Sequence, residues 1–330
     1  MASKQKTIKQ SVTLKGQGLH TGEFTELTFK PAPENHGYIF KRVDLENQPT
    51  IHATVENVVD TSRSTVLEEN GAKIGTVEHV LSALYGMAID NILIEVTGPE
   101  TPILDGSARF YVEAINNAGI EEQQAEKDYF VVKKNISYSE PENEIELMII
   151  PDEEFSVNVM IDYNSKVLGN QYATLNSLDE YEHEISTCRT FVFLKDLEPL
   201  LEQNLVKGGD LDNAIVIVER EVSQEELDRL ADLFNKPRVK VKKQGVLNNI
   251  DLSFSNEPAR HKLLDVIGDL ALVGYPLKGK ILATRPGHSA NSEFAKVIKR
   301  ALKKERSKHA APLYDANKAP VLDINDIRGL

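Results

Sequence analysis

Two rhythms of apolar residues run along this chain. Residues 6–30 alternate apolar and polar side chains around Gly16-Gln17-Gly18-Leu19-His20-Thr21-Gly22, predicting a strand, a glycine-rich loop and a second strand. Further strand-like alternation lies between Gly37 and Val66 and over residues 91–96. The second half opens in the same way, with strands predicted over 129–136, 144–150 and 155–161 and a late one over 278–284. Helical spacing separates these segments. Val77, Val80, Leu81 and Leu84 share a face between Thr76, a natural N-cap, and Gly86, a natural stop. The helical period also covers 110–118, 197–204, 223–236 and 256–270, and a surface helix is expected from Ser292 to about Arg306. Ser223 and Glu226 have capping-box spacing, while Asn256 and Pro258 suit the start of the 256–270 helix.

Two successive strand-then-helix units predict an α+β protein of duplicated topology. A length of 330 residues exceeds one comfortable core and points to two domains. The acidic stretch Glu121 to Lys127 reads as a linker, giving an N-terminal domain over 1–124 and a C-terminal one over 125–308, with 309–330 as a linker-like tail. Residues 194–218 form a strand–helix–strand insert rich in Leu and Val, suited to line an apolar groove or to cover a sheet edge.

Charge and cysteine usage narrow the function classes. A formal charge of −13 argues against a nucleic-acid binder, so an anionic ligand must find a local cluster of Lys and Arg. Cys188 is the sole cysteine, which excludes an intramolecular disulfide and a cysteine-rich zinc site. The first residues lack the apolar core of a signal peptide, and no stretch approaches the length of a membrane span; a cytoplasmic protein is expected.

Candidate chemistry concentrates in three places. In the apolar 256–270 helix, His261, Asp265 and Asp269 fall at i, i+4 and i+8, close to one face. Burying them without partners costs several kcal/mol, roughly, which either an ion-pair network or a metal ion could offset. Glu78 and His79 are adjacent in a first helical turn, where His79 could reach a metal and Glu78 the water on it; a merely solvated pair has the same spacing. His288 follows Gly287 at a strand end, where an imidazole could stand clear of the sheet. His20, in a glycine-rich loop, reads as a surface or packing residue, and Tyr163, at another strand end, suits packing or a flat ring.

Taken together, Thr76-Val77-Glu78-His79, Pro102-Ile103-Leu104-Asp105-Gly106-Ser107, Arg189-Thr190-Phe191, Lys207-Gly208-Gly209, Arg260-His261-Lys262 with Asp265 and Asp269, and Gly287-His288 closely resemble the zinc-dependent UDP-3-O-acyl-N-acetylglucosamine deacetylases of lipid A synthesis, over about residues 5–305. The resemblance implies two α+β domains, each a β-sheet with helices on one face, packed helices inward with the active site between them. It implies His79, His261 and Asp265 as ligands of one catalytic Zn2+, with Fe2+ an alternative in the cell, Glu78 as general base and His288 as general acid oriented by Asp269. Thr190 would donate to the oxyanion, and Lys262 with Arg285 would meet the diphosphate. Tyr163 and Asp162 would receive the uracil, while Leu19, Phe191, Phe193 and the 194–218 insert would border an apolar passage for the acyl chain. A zinc peptidase and a non-catalytic binding module are the competing readings; the chain lacks His-Glu-x-x-His.

Two stretches depart from the family pattern. Residues 222–248 are longer than the usual connection and read as a surface insertion. The ending, 319–330, resembles the opening of a 3-hydroxyacyl-acyl-carrier-protein dehydratase, suggesting the deacetylase portion of a C-terminal fusion.

Overall fold

The computed structural model describes residues 3–202, 205–242, 245–248 and 250–309. Most of the tail expected over 309–330 lies outside the described residues. Two sheets dominate, and they have the same order. The first runs Val12–Gln17, Phe24–Pro31, Ile92–Val96, Tyr38–Arg42, Thr50–His52, and the second Ile136–Glu140, Ile145–Ile150, Leu277–Thr284, Phe155–Ile161, Gln171–Leu175. In each, neighbouring pairs are antiparallel, antiparallel, parallel and antiparallel, so the strand that comes last in the chain within each sheet inserts at its centre. Duplication is thus plain in topology.

A helix precedes each central strand and another follows it. These are Glu78–Gly86 and Arg109–Ala118 in the first half, Glu257–Ala271 and His288–His309 in the second. The two preceding helices, equivalent by position, pack against each other and are buried along almost their whole length. Gly268 permits the approach: a Cβ there would lie 2.1 Å from the Glu78 carbonyl oxygen. This contact joins the two halves.

Several expected features take another form. The 121–127 stretch is not a linker but part of the strand Ile120–Glu126, antiparallel to Lys4–Ile8. The register sets Lys4 opposite Glu126 and Lys6 opposite Glu122, so the acidic residues have basic partners far away in sequence. Thr76 does not cap the 78–86 helix. Its backbone is left-handed, at φ 56°, and its hydroxyl donates instead to Glu100 at 2.7 Å. Nor does the Asn256 side chain cap its helix, because its oxygen accepts from Arg260 Nε at 3.0 Å. Ser223 does cap, accepting from the Glu226 amide at 3.2 Å. The last helix begins at His288, four residues ahead of expectation, directly after Pro286-Gly287.

The 194–218 insert begins one strand early: Phe191–Phe193 pairs in parallel with Ile215–Ile217, with the helix Leu194–Glu202 in the crossover. No helix among the described residues is long and apolar enough to cross a membrane.

Candidate active site

The paired helices bring together residues that are distant in sequence. Glu78 and His79 open one helix, while His261, Asp265 and Asp269 line the facing side of the other. All five are buried. One potential ligand atom from each of His79, His261 and Asp265 lies within 4.8 Å of the others. Asp265 Oδ1 is 3.4 Å from His261 Nε2 and 3.9 Å from His79 Nε2.

The protons in this trio decide what it can hold. His261 Nδ1 lies 3.0 Å from the Cys188 carbonyl oxygen and so carries the proton, leaving a lone pair on Nε2. Burial, with His261 alongside, pulls His79 down to about 3; burial likewise lowers His261, so both rings are neutral at pH 7. Burial works to raise Asp265, but Lys262, whose Nζ lies 2.7 Å from Oδ2, leads the charges that hold it well below the carboxylate range. Asp265 Oδ1 is nevertheless buried with no hydrogen-bond partner. A carboxylate oxygen facing neutral imidazole nitrogens is poorly satisfied by hydrogen bonding and well satisfied by a divalent cation. Two His and one Asp fit such an ion while leaving a coordination position open.

Beside the trio lies a proton-handling pair. Glu78 Oε2 accepts from the Thr65 amide at 3.0 Å, and Oε1 is 3.9 Å from His288 Nε2. Burial raises the Glu78 carboxyl to about 7, helped by Asp269 and Asp265 and opposed by His288. His288 Nδ1 is 3.0 Å from Asp269 Oδ2. Burial lowers this imidazole, but Asp269 and Glu78 outweigh that effect and bring it to about 9, so it is charged at pH 7. Asp269 is held in turn by the Thr65 hydroxyl at 2.6 Å and by Asn291 Nδ2 at 2.8 Å. Thr65 therefore touches both sides of the pair. Neither Thr65 nor Asn291 stands out in the sequence, since no periodicity or motif marks them.

These groups open into a cleft of 380 Å³ that Leu19, His20, Arg63, Thr190 and Phe191 also line. The Thr190 backbone is fixed on both sides, its amide donating to Gly106 O and its carbonyl accepting from Ile215, each at 2.8 Å. An adjoining hollow of 300 Å³ is bounded by Tyr163, Phe191, Phe193 and Lys262. The three aromatic rings meet edge to face, with centroids 5.5 to 6.2 Å apart. Arg285 and Asp162 pair with each other at 2.8 Å, and Arg285 also meets Glu144 at 2.9 Å. Neither residue lines the cleft or the hollow. His20, read as a surface or packing residue, lies at the cleft with Nδ1 3.3 Å from Leu205 O.

Comparison with known proteins follows the same lines. The family model described as UDP-3-O-acyl N-acetylglycosamine deacetylase matches residues 5–239 and 235–300. The chain belongs to this deacetylase family. A bifunctional enzyme LpxC/FabZ from Bacteroides thetaiotaomicron is 51% identical over 327 residues, covering 99% of this chain and 70% of the relative. The UDP-3-O-acyl-N-acetylglucosamine deacetylase of Myxococcus xanthus is 39% identical over 89% of this chain and 86% of its own length. That of Alcanivorax borkumensis is 36% identical over 96% of each. Membership makes the chain a metal-dependent deacetylase of lipid A synthesis, and the His79, His261 and Asp265 cluster suits the metal.

The helix crossing makes its own prediction. In Gly268→Ala, the added methyl meets the Glu78 carbonyl, and overpacking is expected to cost about 1–3 kcal/mol in denaturant titration. Turnover is expected to fall further than stability, by about 100-fold, because the displaced backbone is that of Glu78 itself. Unchanged stability and turnover would show that the helices do not depend on this contact.

Proposed function

We propose that the protein removes acetate from UDP-3-O-(3-hydroxyacyl)-N-acetylglucosamine, with Zn2+ held by His79, His261 and Asp265. The observation that carries this reading is the orphaned Asp265 oxygen facing two neutral imidazoles beside a carboxyl and a charged imidazole. Zinc, when bound, supplies Lewis acidity that lowers the pKa of water to about 7 and polarises the acetamide carbonyl. Glu78 is the general base. Its Oε2 is engaged by Thr65, which leaves Oε1 to take the proton of the attacking water. The Thr190 hydroxyl donates to the oxyanion as the carbonyl carbon becomes tetrahedral. His288, positioned through Nδ1 by Asp269, delivers the proton on Nε2 to the sugar nitrogen as the C–N bond breaks. Acetate and a free amine result.

Lys262 and the Tyr163, Phe191 and Phe193 hollow border the substrate, with the acyl chain running along the 191–218 element from Leu19. Arg285 and Asp162 neutralise one another, so their role at the nucleotide requires that ion pair to open. The LpxC/FabZ relatives and the likeness of 319–330 to a dehydratase opening support a C-terminally fused dehydratase. A nucleotide-sugar substrate and a lone cysteine fit a cytoplasmic enzyme.

Acetate release from acylated and non-acylated nucleotide sugars, with and without chelator, tests the reaction directly. Chelator-insensitive turnover would remove the metal from it. The pH profile tests the proton assignments. Activity rises with pH as Glu78 ionises and falls as His288 loses its proton, so kcat/KM is expected to be bell-shaped. Its limbs should lie below about 7 and about 9, since a bound cation lowers both groups. His288→Gln is expected to lose the alkaline limb and about 10²–10⁴ in rate. An alkaline limb surviving in that variant would assign it to another group.

A further inference from the structure

The residues between 222 and 248 are accounted for by nothing in the reaction, yet several of their described apolar side chains are buried. The family match itself falls into two pieces, 5–239 and 235–300, that overlap within this stretch. The helix Gln224–Leu233 buries Leu227, Leu230 and Ala231. They join Leu194, Val216 and Val218 of the passage element in one apolar cluster, to which Val239 and Leu247 also belong. The chain then turns back at Gly245, whose φ of 73° and 2.1 Å approach to Val167 admit no side chain. It adds to the Ile215–Ile217 strand through bonds from Leu247 N to Val216 O at 3.1 Å and from Val218 N to Gly245 O at 2.7 Å.

Val246 bridges antiparallel to Ile217, so this segment extends the edge of a two-stranded sheet that has two different faces. Val216, Val218 and Leu247 point to the added helix, whereas Ile215, Ile217, Val246 and Phe193 form a separate cluster against which Phe191 packs. Phe191 and Phe193 are two of the three aromatics bounding the hollow beside the active site. The added chain thus inserts Val246 behind the aromatic wall and clamps the opposite face of the same sheet. Ion pairs fix its position: Lys236 reaches Asp210 at 2.9 Å and Asp212 as well, on the loop just before the strand. That strand is bonded in turn to Thr190.

We propose that Gln224–Leu233 and residues 245–248 are a brace that holds the wall of the acyl passage rigid and thereby sets discrimination for the hydrocarbon chain of the substrate. This inference rests on the passage reading given above. Val246 packs in the same cluster as Phe193, Leu230 backs the opposite face of the sheet, and both lie outside the candidate metal cluster.

The test uses the full chain loaded with metal, comparing nucleotide sugars with a long, a short and no 3-O-acyl group. In Leu230→Ala and in Val246→Ala, KM for the long-chain substrate is expected to rise about tenfold, the scale of one loosened apolar wall, while kcat stays level. Turnover of the non-acylated sugar and metal content are expected to match wild type. Equal losses on all three substrates, or unchanged KM for the long chain, would overturn the brace. Wild-type enzyme that does not distinguish acylated from non-acylated sugar would instead overturn the passage, and the brace with it. Should Leu230→Ala unfold, Val246→Ala leaves the helix packing intact and decides alone.

Discussion

Glu78→Gln enzyme is expected to keep a full complement of metal and to turn over about 10²–10⁴ times more slowly than wild type. The amide preserves the shape of the carboxylate and the bond from the Thr65 amide at 3.0 Å, so the first turn of the 78–86 helix keeps its place. What it loses is basicity at the oxygen nearest His288. KM should change little, because the proposed mechanism has Glu78 act on the attacking water and not on the nucleotide. The acid limb of the pH profile should disappear together with the rate, since the proposed mechanism assigns that limb to this carboxyl. Metal analysis alongside steady-state kinetics separates a lost base from a lost ion; full turnover in Glu78→Gln would transfer the base role to another group.

His261→Ala is expected to lose bound metal and at least about 10³ in activity, since the remaining His79 and Asp265 are too few to hold a catalytic ion in an open site. A thermal signature accompanies this. Metal at 1,000 times its Kd stabilises a native protein by about 4 kcal/mol, and that gain should vanish in the variant. Retention of one metal per chain after the substitution would place the ion elsewhere. Because it is the main-chain carbonyl of Cys188 that meets His261 Nδ1, Cys188→Ala should leave metal content unchanged.

The candidate centre was readable from the sequence to the extent that its residues sit in regular elements. His261, Asp265 and Asp269 announce a common face through helical spacing, and Glu78-His79 announces a first turn, so the structure finds them where their helices put them. Their mutual approach was not readable from either helix alone, because it depends on Gly268 in one meeting a carbonyl in the other. Thr65 and Asn291 lie outside any pattern and become visible only through Asp269. The same limit explains the misjudged acidic stretch at 121–127, whose basic partners lie in the first strand. Thr76 shows a different failure. A local capping rule gave way to Glu100, whose carboxylate also gathers the backbone amides of His20 and Thr21.

The first repeat carries Glu78 and His79 while the second carries His261, Asp265 and His288, so the proposed centre is complete only when the two repeats are folded against each other. Anything that loosens the seam between the repeats should therefore silence the enzyme before either half unfolds.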